Sequence, residues 1–171
     1  MAVKKSNRRG QSAGKTSNRK INIPEKLGYY LSGFADGEGS FNVSLIKRGD
    51  YKYKWKVGLS FNVSQKDDTI PYLFRNTMKC GTIRYRKDGI CYFEVRRVKD
   101  LVQIVIPFFR TFPLLSRNKK NVFNVFCQIV QIVDKKKHLE KEGIKEILRL
   151  RDLIRVSRKR KYSKREILKF Y

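Results

Sequence analysis

The sequence predicts an α+β fold. Its expected core is αββαββα, with an antiparallel sheet, helices on one face of that sheet, and further helices at the C-terminal end. Three observations predict it. Hydrophobic spacing alternates between a helical and a two-residue period, in the order helix, hairpin, helix, hairpin, helix. The second hairpin carries Lys87-Asp88-Gly89, and Asp-Gly supplies the left-handed backbone that tight hairpins need. At 171 residues, 40% of them hydrophobic, the chain can build one core of its own and is not disordered throughout. Hairpin connections make neighbouring strands antiparallel, and helices collected on one face leave the other face open.

Taken in order, residues 1–22 form a tail with Lys4, Lys5, Arg8, Arg9, Lys15, Arg19 and Lys20 and no acid. Nothing there can pack, so it is expected to be disordered and to act as a phosphate-binding arm. Residues 23–171 are read as a single domain whose end, from about 140 to 171, is a helical extension. Pro24 and Glu25 mark a helix start. Leu27, Tyr30, Leu31 and Phe34 follow at helical spacing. Gly33 and Gly37 share an adjoining strip, and each costs about 1 kcal/mol relative to alanine in a helix. Close approach of a second helix would offset that, and Gly37 and Gly39 are expected to stop the helix.

The period then changes. Phe41, Val43 and Leu45 alternate with Asn42, Ser44 and Ile46. After a turn near Arg48-Gly49-Asp50, Tyr53, Trp55, Val57, Leu59, Phe61 and Val63 alternate with Lys52, Lys54, Lys56, Gly58, Ser60 and Asn62. Asp67 to Met78 reads as a short helix with Asp67 or Asp68 as cap. In the second hairpin Ile83 and Tyr85 alternate with Arg84 and Arg86, and Cys91, Phe93 and Val95 with Tyr92, Glu94 and Arg96. An apolar helix interrupted by Pro107 spans Val98 to about Phe112. A helix from about Arg117 to Lys137 follows, with Val122, Phe123, Phe126, Ile129, Val130 and Val133 as its core face, and Ile144, Ile147, Leu148 and Ile154 mark a further one.

Charge narrows the class. A formal +26 repels itself in the compact state unless a polyanion offsets it. No apolar stretch approaches a membrane span, and the basic residues are spread over strands as well as helices, which fits a nucleic-acid groove and no membrane partner. Cys80, Cys91, Cys127 and the lone His138 lack the spacing of a zinc site or a disulfide framework, and a reducing compartment fits them.

Leu31-Ser32-Gly33-Phe34-Ala35-Asp36-Gly37-Glu38-Gly39, set between a helix and a hairpin, resembles the nine-residue signature of the LAGLIDADG homing endonucleases. The resemblance runs from about Leu27 to Val133. It implies that family's αββαββα plan and, with one copy of the signature, a homodimer packed through the signature helices at Tyr30, Gly33 and Gly37. It implies hydrolysis of both strands of duplex DNA with a divalent metal, held by the acid at the signature's eighth position, Glu38, and by the carbonyl of Gly37. Oxygen ligands of this kind favour Mg²⁺. Asp36, two residues earlier on a helix, points away from Glu38 and reads as structural or interface-facing.

The resemblance also implies that Gln65 holds water near the metal. It places an active-site lysine just after Pro113-Leu114-Leu115; by spacing that position is Asn118, with Arg117 or Lys120 as substitutes or a register one residue off. Lys120 is the candidate taken. The DNA-reading positions on the polar strand face are Asn42, Ser44, Lys54, Lys56, Ser60, Asn62, Arg84, Arg86, Tyr92, Glu94 and Arg96; arginine suits guanine and asparagine suits adenine. A dimer implies a long pseudo-palindromic target. The expected function is therefore a site-specific, intron-encoded endonuclease. Its setting would be a bacterial or archaeal cytoplasm, or a chloroplast or mitochondrion. The alternative is a maturase, which would bind intron RNA as its partner, using the basic sheet but not Glu38.

Overall fold

The computed structural model describes residues 22–154 and 161–171. Along the chain run α1 (Glu25–Glu38), β1 (Gly39–Lys47), β2 (Trp55–Gln65), α2 (Thr69–Met78), β3 (Thr82–Tyr85) and β4 (Cys91–Val95). Then come α3 (Val98–Asp100), a π-helical turn (Leu101–Val105), α4 (Ile106–Thr111), α5 (Arg117–Asp134), a 3₁₀ turn (Lys137–Leu139), α6 (Lys141–Leu153) and α7 (Lys164–Leu168). This is the expected core with helices beyond it. Of the tail, all but Asn22 lies outside the described residues, as do residues 155–160.

The four strands form one sheet in the order β1-β2-β4-β3, antiparallel throughout. Register follows the apolar alternation, because a one-residue slip would turn every apolar side chain to the wrong face. Phe41 lies opposite Phe61, Phe61 opposite Val95 and Val63 opposite Phe93. On that face Phe41 is surrounded by the rings of Phe61, Phe109, Phe123 and Phe126, with centroids 5.1–5.3 Å away. Each such burial contributes on the order of 1.5–3 kcal/mol, and together they fix α4 and α5 against the sheet.

Helix α1 is pinned by α4. The Phe112 ring lies so close to Gly28 that a Cβ there would come within 2.3 Å of it, and the buried Ser32 hydroxyl donates to the Phe112 carbonyl at 2.7 Å. Pro107 does not interrupt its helix. The preceding turn widens instead, with the Ile106 N–H donating to Leu101, five residues back. A widened turn relieves the clash between a proline ring and the carbonyl four residues earlier.

Several boundaries differ from expectation. Gly37 does not stop α1, which runs through Glu38; Gly39 caps it, its N–H donating to the Ala35 carbonyl. Strand β2 starts at Trp55, leaving Tyr53 and Lys54 in the turn, where Lys54 adopts a left-handed backbone (φ 58°). Helix α2 starts at Thr69, because Asp67 spends its Oδ1 on the Thr69 N–H at 2.7 Å. Helix α5 ends at Asp134, and Lys136 turns the chain with φ 58°. The cysteines are free thiols.

Candidate nuclease centre and nucleic-acid interface

Glu38 is the last residue of α1 and is exposed, as is Gly37. Gly39 follows with an ordinary φ of −74°; glycine is needed there for space, because a Cβ would lie 2.6 Å from the Ala35 carbonyl oxygen. Tight passage from helix to strand therefore fixes where the Glu38 carboxylate emerges. Along the same helix Tyr30 is 53% exposed, and a Cβ at Gly33 or Gly37 would meet nothing within 4 Å. Among the described residues the glycine strip is thus uncovered.

Asp36 turns the other way. Its Oδ2 accepts from the Leu115 N–H at 2.9 Å and the Ser116 N–H at 2.7 Å, and its Oδ1 accepts from the Ser116 hydroxyl at 2.5 Å. Partial burial would raise this carboxyl, but the bonds from Ser116 and Leu115 and the charge of Lys119 outweigh it and hold it below the usual aspartate value. Ser116 is the residue that caps the start of α5, so one carboxylate ties the signature helix to a helix start about 80 residues away. Of the two sequence-based readings of Asp36, this geometry fits the structural one.

The same tie delivers a lysine. Lys119 Nζ donates to the Gly39 carbonyl at 2.5 Å, one residue past Glu38. Lys120, the candidate chosen from spacing, is exposed, as are Arg117 and Asn118. A signal for Lys119 was present: it continues the core stripe of Phe123 and Phe126 at helical spacing, whereas Lys120 lies off it, in line with exposed Asn124. The tie from Asp36 to Ser116 had no local signal, since its partners are distant in sequence.

Gln65 pairs with Cys91 and lies two residues beyond the Val63–Gly39 pair, about 7 Å further along the strand and beside the end of α1. Its Oε1 is buried and has no donor among the described residues. By strand alternation it faces the helix side of the sheet, not the open face.

The open face holds most of the predicted reading positions. In cross-strand rows, Ser40, Asn62, Glu94 and Thr82 lie side by side, as do Ser64, Tyr92 and Arg84; Asn42 faces Ser60, Ser44 faces Gly58 and Ile46 faces Lys56. Three expected positions sit outside the strands. Lys54 is in the turn, its Nζ donating to the Gly49 carbonyl at 2.9 Å. Arg86 begins the β3–β4 turn and pairs with Asp88 at 2.9 Å. Arg96 follows β4. Glu94, expected to be open, is only 5% exposed.

A helical layer thus lies under a four-stranded antiparallel sheet, with an acid where the first helix meets the first strand. The LAGLIDADG endonuclease family model matches residues 31–130, and the chain belongs to that family. "Probable intron-encoded endonuclease 2" of Neurospora crassa is 35% identical over 123 residues, a match covering 70% of this chain and 27% of that protein. The chain spans about a quarter of the length of the Neurospora relatives it matches. Among solved structures, the homing endonuclease I-TnaI has a TM-score of 0.71 at 28% identity, covering 83% of this chain and 92% of its own. I-SmaMI, bound to its uncleaved DNA target in the presence of calcium ions, has a TM-score of 0.69 at 28% identity, covering 73% of this chain and 43% of its own.

Proposed function

We propose that this chain is an intron-encoded, site-specific homing endonuclease that cuts both strands of a long pseudo-palindromic DNA target as a homodimer. The observation that carries the reading is Glu38: an exposed acid in a chain of net charge +26, presented at the head of a polar sheet and beside an uncovered glycine strip. Coverage supports the dimer. The match covers nearly all of the I-TnaI chain but under half of the I-SmaMI chain, which supports reading the matched region as one of two copies of the fold.

The donor set fits a hard divalent ion. Among the described residues no three His, Cys, Asp or Glu side chains come together as a metal group. Two Glu38 carboxylates, the Gly37 carbonyls and DNA phosphate oxygens would hold Mg²⁺, which keeps several waters and needs few protein ligands. When bound, that ion neutralises phosphate charge and lowers the pKa of attacking water. Lys119 places a positive charge beside the same point, where it stabilises charge developing on the scissile phosphate. Gln65 offers its buried acceptor to orient water. The open sheet face lies in the major groove, where base edges are distinguishable.

The test is cleavage of a randomised duplex library with and without Mg²⁺. The expected outcome is a unique cut site, with Glu38→Gln abolishing cutting while binding survives. Absence of cutting under every divalent ion, with tight binding to intron RNA instead, would replace this reading with the maturase; the endonuclease names of the relatives favour the nuclease.

A further inference from the structure

Glu94 is the one acid among the strand positions of the open sheet face. It sits in β4, an inner strand of the order β1-β2-β4-β3, between Asn62 of β2 and Thr82 of β3. A duplex lying on this face would place its phosphates over the rims and its base edges over the middle. A carboxylate there opposes polyanion binding and gains nothing from phosphate. Yet Glu94 is 5% exposed, and its Oε2 is buried without a hydrogen-bond donor of proper geometry. Its partner is charge: Arg96, just past the end of β4, brings Nε to 2.9 Å from that oxygen, while the Arg96 side chain stays 64% exposed.

The contact is made through Nε, at the base of the guanidinium, which leaves the Nη1–Nη2 edge of an exposed side chain for another partner. That edge is the fork that matches O6 and N7 of guanine. A long side chain held in place before contact loses less freedom on binding. Resting on the nuclease reading above, we infer that Glu94 is a positioning residue for Arg96, and that the pair makes this protein demand a guanine at one position of each half-site.

The experiment selects bound duplexes from a randomised library in a Glu38→Gln background, so that binding is read without cutting. It compares that protein with versions also carrying Glu94→Gln or Arg96→Ala, each checked for an unchanged melting temperature. The expected result is a guanine, once per half-site, that Arg96→Ala erases. Glu94→Gln should weaken the same preference at least tenfold, while affinity for scrambled duplex holds or rises because a negative charge has left the face. The inference is overturned if the two substitutions alter different positions, or if Glu94→Gln alone shifts a cytosine or adenine preference, which would make Glu94 a direct reader. It is also overturned if neither changes any preference. A parent that selects no consensus at all would defeat the nuclease reading itself, a distinct outcome.

Discussion

Lys119 and Lys120 are adjacent, similar and differently placed, so they separate geometry from composition. Lys119 reaches the Gly39 carbonyl across the junction where Glu38 emerges; Lys120 faces solvent. If the ammonium stabilises charge at the phosphate, Lys119→Met should lower the cleavage rate by roughly a hundredfold or more, the scale of losing one electrostatic stabiliser. Lys120→Met should stay within a few-fold, and target affinity should change little in both. Single-turnover cleavage at saturating protein checks this, and equal losses in the two variants would remove Lys119 from its assigned place. The signature acid was legible in the sequence because glycines on both sides isolate it in a basic chain. Spacing counted from the Pro113 turn reaches Asn118, and a register one residue on reaches Lys119, the lysine whose ammonium lies against Gly39. The helix sets its phase from Ser116, and what fixes Ser116 is Asp36, a partner that no local pattern reveals.

At the level of the element, α1 shows that glycines in one helix serve opposite purposes. Gly28 lies under the Phe112 ring, whereas Gly33 and Gly37 face open space. Alanine at Gly28 must push the ring aside, an overpacking cost of about 1–3 kcal/mol that exceeds its propensity gain of about 1 kcal/mol. Gly28→Ala should therefore lower the melting temperature. A Cβ at Gly33 has open space around it among the described residues, so Gly33→Leu should leave the monomer's fold intact, but it should block a second helix from approaching. Sedimentation velocity on target duplex should show two chains per site for the parent and one for Gly33→Leu. A variant that still pairs would show that the dimer does not form through this strip. The element order, both hairpins and the core stripes were readable because periodicity is local and each face is strongly one-sided. Exact ends were less so, since they depend on single bonds such as Asp67 to the Thr69 N–H and on the π turn that lets α4 continue past Pro107.

Across the whole molecule, charge sets the binding law. Lysine and arginine number 41 against 15 acids, and the sheet's open face contributes only part of that excess. Each phosphate neutralised releases condensed counterion, so affinity should fall linearly with log salt, with a slope of about −0.9 per phosphate contact. Base-reading positions and phosphate-gripping positions then separate by their salt behaviour. Arg96→Ala should alter which duplexes are preferred far more than the slope; removing residues 1–22, with their cations and no acid, should flatten the slope and leave the selected sequence unchanged. Fluorescence anisotropy on the selected target at several salt concentrations measures both quantities in one titration series. A slope indifferent to the tail would confine the phosphate contacts to the folded domain. A tail that changes the selected sequence would instead make it a groove reader.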